Sequence, residues 1–143
     1  MKALIIGCGR VGSTIALQLH KEGWEVTVID ENEDALSRLG ENWPGAFFVG
    51  HGMDTDVLRE AGIEEMDAVV ASTDGDNTNI VIGQVAQKRF GTQCVVARIL
   101  DPARADFYAA RGLRTVSPTK TAIDTLMEAV RECEVRPVGT VSA

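Results

Sequence analysis

Short β-branched runs alternate with longer amphipathic stretches along the chain, and that alternation predicts a parallel α/β sheet. Strands are expected over residues 3–6, 25–29, 46–49, 67–71 and 94–97, with a weaker one over 113–116. Several are continuous apolar runs, the pattern of strands covered on both faces. Helices are expected over 10–22, 33–39, 54–61, 76–90, 102–111 and 119–132. In the first, Val11, Ile15 and Leu19 recur four apart on one face, with Gly23 as a stop. The fourth is apolar on nearly every side, through Ile80, Val81, Ile82, Val85, Ala86 and Phe90. Such a helix needs two partners; the sheet supplies one, and a second subunit is expected to supply the other. The last carries Ile123, Leu126, Met127 and Val130 at helical spacing. The pattern therefore predicts a single Rossmann-type, doubly wound α/β domain over residues 1–134, followed by a frayed tail over 135–143.

Composition narrows the functional classes. The 143 residues are 45% hydrophobic and 24% charged, the balance of one globular domain. A net charge of −7 argues against sequence-independent binding to nucleic acid or an anionic membrane. No apolar run approaches the ~18–20 residues that span a bilayer, so direct membrane insertion is not expected. Cys8, Cys94 and Cys133 are odd in number and lack Cys-x-x-Cys spacing, which suits a reducing cytoplasm better than a disulfide framework or a zinc site.

The chemistry begins at Gly7-Cys8-Gly9-Arg10-Val11-Gly12, a G-x-G-x-x-G run between the first strand and the first helix. In that setting Gly7 serves the tight turn, Gly9 lets a pyrophosphate approach the backbone, and Gly12 allows close helix–strand packing. The helix start offers free N–H groups to phosphates. Asp30, eighteen residues beyond Gly12, can accept both hydroxyls of an adenosine ribose and disfavours a 2′-phosphate, pointing to NAD or an adenine nucleotide. Its alternative is a cap in the Asp30-Glu31-Asn32 turn. Arg10 can form paired charge-assisted bonds to exposed phosphates; otherwise it is a solvated first-turn arginine. Cys8, beside a helix N-terminus, is open to two readings: a redox sensor with a depressed pKa, or a small side chain filling space beside the ligand.

The chain has neither a P-loop nor a G-x-S-x-G elbow, and His20 and His51 belong to no metal-ligand spacing. A dehydrogenase also needs a second region to hold substrate and deliver a proton. The length leaves little room for one, so a binding domain is expected rather than a catalyst. A small NAD-dependent oxidoreductase, or half of one, is the alternative.

A longer set of residues carries a family resemblance. It runs through Gly50-His51-Gly52-Met53-Asp54, Asp67-Ala68-Val69-Val70-Ala71-Ser72-Thr73-Asp74, Asn77-Thr78-Asn79-Ile80, Val96-Ala97-Arg98-Ile99 and Val116-Ser117-Pro118. With the glycine loop, these resemble the regulator of potassium conductance domain, also known as the KTN or TrkA-N domain, over about residues 1–130. The resemblance implies a ligand sensor for NAD(H), ATP, ADP or AMP. It further implies a homodimer or larger ring on a membrane-embedded potassium transporter or channel, and hence a cytoplasmic domain peripheral to the inner face of the membrane. By that likeness Arg10 and Arg98 would neutralise phosphates, Asp30 would hold the ribose, and Glu31 would also be among the ligand-binding residues. Gly50, His51, Gly52 and Met53 would flank the adenine, while Ser72, Thr73 and Asp74 would border the ligand beyond the fourth strand, with Asn77 also among the ligand-binding residues. The last helix would suit a crossover onto a neighbouring subunit, its alternative being its own sheet.

Three departures qualify the likeness. The family often has Gly-Asp-Ala where this chain has Gly50-His51-Gly52, so the adenine contacts are expected to differ. A glutamate that in some members joins an intersubunit cation site is replaced by Thr119, so no metal site is expected. Many members carry a second ligand-binding lobe, so the chain is expected to be a short subunit or an isolated N-terminal lobe.

Overall fold

The computed structural model describes residues 1–133; the expected tail, 135–143, lies outside the described residues. Six parallel strands form one sheet in the order β3-β2-β1-β4-β5-β6. They are β1 (Lys2–Ile6), β2 (Glu25–Asp30), β3 (Ala46–Val49), β4 (Ala68–Ala71), β5 (Cys94–Arg98) and β6 (Arg114–Val116). The order reverses between β1 and β4, which creates a crevice at their carboxyl ends. Strand periodicity separates the two layers. Leu4 and Ile6 of β1 face a core completed by Ile29, Leu58, Val69 and Ile82, whereas Ala3 and Ile5 face Ala16, Val26, Val28 and Leu39.

The helices are α1 (Arg10–Lys21), α2 (Thr55–Glu60), α3 (Asp76–Gln84), α4 (Pro102–Ala109) and α5 (Pro118–Glu132). Three segments depart from the expected pattern. Residues Glu33–Leu39 wind as a 3₁₀ helix capped by the Asn32 side chain, and α3 continues into a π turn over Val85–Arg89. In α1 the buried positions are Gly12, Ser13 and Ala16, and Val11 is exposed. Small residues let this helix lie close to β1.

The largest correction concerns the apolar surface. The fourth expected helix does not need a second subunit to cover it. Ile80 packs with Ile99 and Ala105, Ile82 and Ala86 enter the central core, and Val81 alone of its six apolar residues is markedly exposed. The uncovered face belongs to α5, which buries none of its residues and exposes Ile123, Leu126, Met127 and Val130 by 45–65%. The alternative of α5 packing on its own sheet is therefore not what the structure shows.

The turn after β1 depends on two glycines. Gly7 has φ +101°, a left-handed conformation that favours glycine. A Cβ at Gly12 would stand 1.8 Å from the Gly7 carbonyl oxygen, a backbone atom with no room to retreat. A Cβ at Gly9 would meet nothing within 4 Å. Gly12→Ala is expected to destabilise the fold by about 3 kcal/mol, or ~10 °C in Tm. Gly9→Ala should leave Tm within about 2 °C; thermal denaturation of both variants checks the contrast.

Candidate functional site

A cavity of about 790 Å³ opens at the strand-order reversal, within the range of small-molecule and cofactor sites. Gly7, Cys8, Gly9, Arg10 and Val11 form one wall, and Asp30, Glu31, Asn32, Ala35 and Arg38 another. Gly50, His51 and Gly52 come from the end of β3, and Ser72, Thr73, Asp74, Gly75, Thr78 and Arg98 from the β4–β5 side. Of the residues singled out in the sequence, only three do not line it. Gly12 lies behind the loop against Gly7. Met53 stands outside, its N–H donating to His51 Nδ1, and Asn77 instead accepts a bond from Arg104.

Asp30 closes β2 and braces the glycine loop. Its Oδ2 accepts the Cys8 N–H at 2.7 Å and its Oδ1 the Asn32 N–H at 2.8 Å. The turn-forming role is thus real, and each oxygen keeps further acceptor capacity toward the cavity. Arg38 escaped the sequence reading. It reaches back from the 3₁₀ helix so that Nη1 donates to the Cys8 carbonyl at 3.4 Å, and it makes no ion pair among the described residues. At the rim, His51 Nε2 lies 2.7 Å from Glu31 Oε1. With Nδ1 accepting from Met53 at 3.2 Å, the neutral ring donates through Nε2. A Cβ on Gly52 would sit 2.4 Å from Ile6 Cγ2 and 2.8 Å from Ile82 Cδ1, so the loop after β3 presses directly onto the core.

Cys8 is a buried core residue whose thiol faces the Ala35 carbonyl at 3.4 Å. Burial raises its pKa, and the Asp30 charge adds to the rise; Arg38 opposes both. The redox-sensor reading, which required a depressed pKa, is overturned. A buried thiol beside a carboxylate loses more by ionising than the helix start returns.

Across the cavity, Arg98 is the last residue of β5. Its Nη2 donates to the Thr73 carbonyl at 2.6 Å and lies 3.7 Å from Asp74 Oδ1, while its Nε is buried without a partner. Asp74 is fully exposed, so solvent screens this pair heavily. Asn79, only 1% exposed, organises the corner. Its Oδ1 accepts the Thr73 N–H and hydroxyl at 2.9 and 2.7 Å, and its Nδ2 donates to the Thr73 and Arg98 carbonyls at 3.0 and 2.8 Å. No group of three or more His, Cys, Asp or Glu side chains is placed to hold a metal ion among the described residues. None of the described helices is long and apolar enough to cross a membrane.

Fold and site together define a Rossmann-type domain with guanidinium groups and a glycine loop around one crevice. The sequence model of the TrkA-N domain matches residues 3–119, and the chain belongs to that family. It is 41% identical over 138 residues to the Trk system potassium uptake protein TrkA of Streptomyces coelicolor, covering 96% of this chain and 62% of the relative. The chain thus spans about three fifths of that protein's length. Among solved structures, the Kef C-terminal domain of Shewanella denitrificans in its AMP-bound form superposes with a TM-score of 0.77 at 22% identity, over 92% of this chain and 80% of that one. GsuK bound to ADP gives 0.76 at 24%, over 90% and 33%. At these identities the likeness concerns the fold.

The thiols offer a direct check of the Cys8 environment. Cys94 and Cys133 are exposed, so a thiol reagent at neutral pH should modify two cysteines quickly in the native protein and the third only on unfolding. The raised Cys8 pKa also contributes stability below the ordinary cysteine range, lost as the pH rises through it.

Proposed function

We propose that the chain is a nucleotide-sensing regulatory domain of a potassium transport system, which binds an adenine nucleotide or NAD(H) and acts as a homodimer or larger ring. The observation that carries this reading is the single crevice where the glycine loop, Asp30 and Arg98 converge. Family membership and similarity to a potassium uptake protein support the transport context. Structural neighbours bound to AMP and ADP support the ligand class. In this reading the ribose hydroxyls rest on Asp30, Arg10 and the start of α1 receive the nearer phosphates, and Arg98 receives the terminal ones. Binding regulates the partner to the extent that the ligand prefers one arrangement of subunits. The role is recognition rather than turnover. Asp30 is committed to two backbone amides and the His51 Nε2–H to Glu31, so neither is set aside as a positioned acid or base. The domain sits in the cytoplasm, held at the membrane through its partner.

Calorimetric titration tests the ligand assignment. Asp30→Ala is expected to weaken ADP and NADH at least tenfold, since bonds to a charged group contribute roughly 1.5–3 kcal/mol each. Arg98→Ala should weaken ATP and ADP markedly and leave AMP nearly unchanged, because AMP lacks the distal phosphates. Equal losses for all three nucleotides would remove Arg98 from the phosphate site, and an unchanged ADP affinity in folded Asp30→Ala would remove Asp30 from the ribose.

Association is assigned to α5. Ile123, Leu126, Met127 and Val130 recur at i, i+3, i+4 and i+7, the stripe that a second helix covers. Light scattering at micromolar concentration should return a multiple of the 15.4 kDa chain mass, and Leu126→Glu with Met127→Glu should return the monomer. A wild-type monomer would count against the assignment.

A further inference from the structure

Among the described residues, the exposed helix α5 is hydrogen-bonded to the segment that follows Arg98 of the crevice by one side chain, Ser117. The Ser117 hydroxyl is buried and donates to the Leu100 carbonyl at 2.9 Å, while its oxygen accepts the Lys120 N–H at 3.1 Å and so caps α5. Among the described residues, every other hydrogen bond from a side chain of α5 or its C-cap stays within the helix or returns to the Ser117 carbonyl: Lys120 to Asp124, Thr121 to Ser117, Thr125 to Thr121, and Cys133 to Ala129. With none of its residues buried, α5 takes its direction from β6 and this cap.

Leu100 is two residues from Arg98, and the intervening segment is gripped from several sides. The Arg98 carbonyl is held by Asn79, the Leu100 and Asp101 N–H groups by Asp76 at 2.8 and 3.1 Å, and the Ile99 N–H by the Val116 carbonyl at 2.9 Å. Ile99 itself is fully buried. The backbone from Arg98 to Asp101 is therefore tied to neighbouring elements at each residue. In the structure Arg98 rests on the Thr73 carbonyl with its Nε unpartnered. An anion in the crevice would offer that guanidinium better acceptors and draw it away from Thr73.

We propose that Ser117 is a positioning residue that converts occupancy at Arg98 into a change in the setting of α5, through the Leu100 carbonyl. The proposal rests on the nucleotide reading of the crevice and adds the route by which that site is read out. Ser117 touches no ligand in this scheme. Its removal should separate binding from response, two quantities that remain coupled in the intact protein.

The test pairs ADP affinity, by calorimetry, with amide hydrogen exchange across residues 118–132, with and without saturating ADP. Wild type should show at least a threefold ADP-dependent change in exchange over α5. Ser117→Ala should bind ADP within twofold of wild type and lose that change. Ser117→Asp keeps an acceptor for the Lys120 N–H but has no donor for Leu100. It should restore basal protection of α5 without restoring the ADP-dependent change, a result that loss of the cap alone would not produce. An ADP-dependent change that persists in either variant, or is absent from ADP-saturated wild type, overturns the proposal. Wild type that binds none of ADP, ATP and NADH overturns the nucleotide reading and this proposal with it, and that failure is recognised from the affinities alone.

Discussion

Asp30 stands at the end of β2 with one carboxylate oxygen on the Cys8 N–H and the other on the Asn32 N–H. The first bond crosses from the second strand to the loop after the first, so the glycine loop is held open by a side chain 22 residues away. The second starts the turn into the 3₁₀ helix, from which Arg38 reaches the Cys8 carbonyl. Cys8 is thus fixed through its N–H, its carbonyl and its buried thiol. A carboxylate with two amide partners is also less repulsive to a polar ligand than a free one, because its charge is already partly spread over donors. One group thus braces both the glycine loop and the turn after β2, and its oxygens keep further acceptor capacity toward the cavity.

The opposite wall is built on different terms. Asn79 gathers four hydrogen bonds in a nearly dry corner, where leaving any of its partners unpaired would be costly. It binds the turn after β4 to the end of β5, and Asp76 extends the same grip to Leu100 and Asp101. One wall of the crevice is therefore braced by a charge and the other by an amide. The second adjoins the segment that leads toward α5.

Much of this was legible in the sequence, for local reasons. The β-branched runs marked all six strands, and the glycine spacing marked the turn, because both patterns are dictated by nearest neighbours along the chain. Asp30 and Arg98 were legible as well, since the ends of parallel strands face one crevice. Arg38 was not, because it resembles any solvated helical arginine until the tightly wound 3₁₀ segment turns it back toward Cys8. Asn79 stands beside Asn77 in one Asn-Thr-Asn run. Nothing in the residue types tells which asparagine the helix turns inward. The exchange of α3 for α5 as the uncovered surface has a similar origin. Periodicity reports how apolar a helix is, whereas coverage depends on what Ile99, Ala105 and the sheet bring against it.

The contact of Gly52 with Ile6 and Ile82 bears on how such a site can drift over evolutionary time. A methyl group at position 52 fits only if the two isoleucines shrink or move, so the three positions are sterically coupled. An alanine beside the crevice would thus call for a change in the placement or size of a residue in β1 or α3. His51, the next residue back along the chain, reaches Glu31 from that same loop. A substitution in the core beneath the crevice would therefore be felt at its rim.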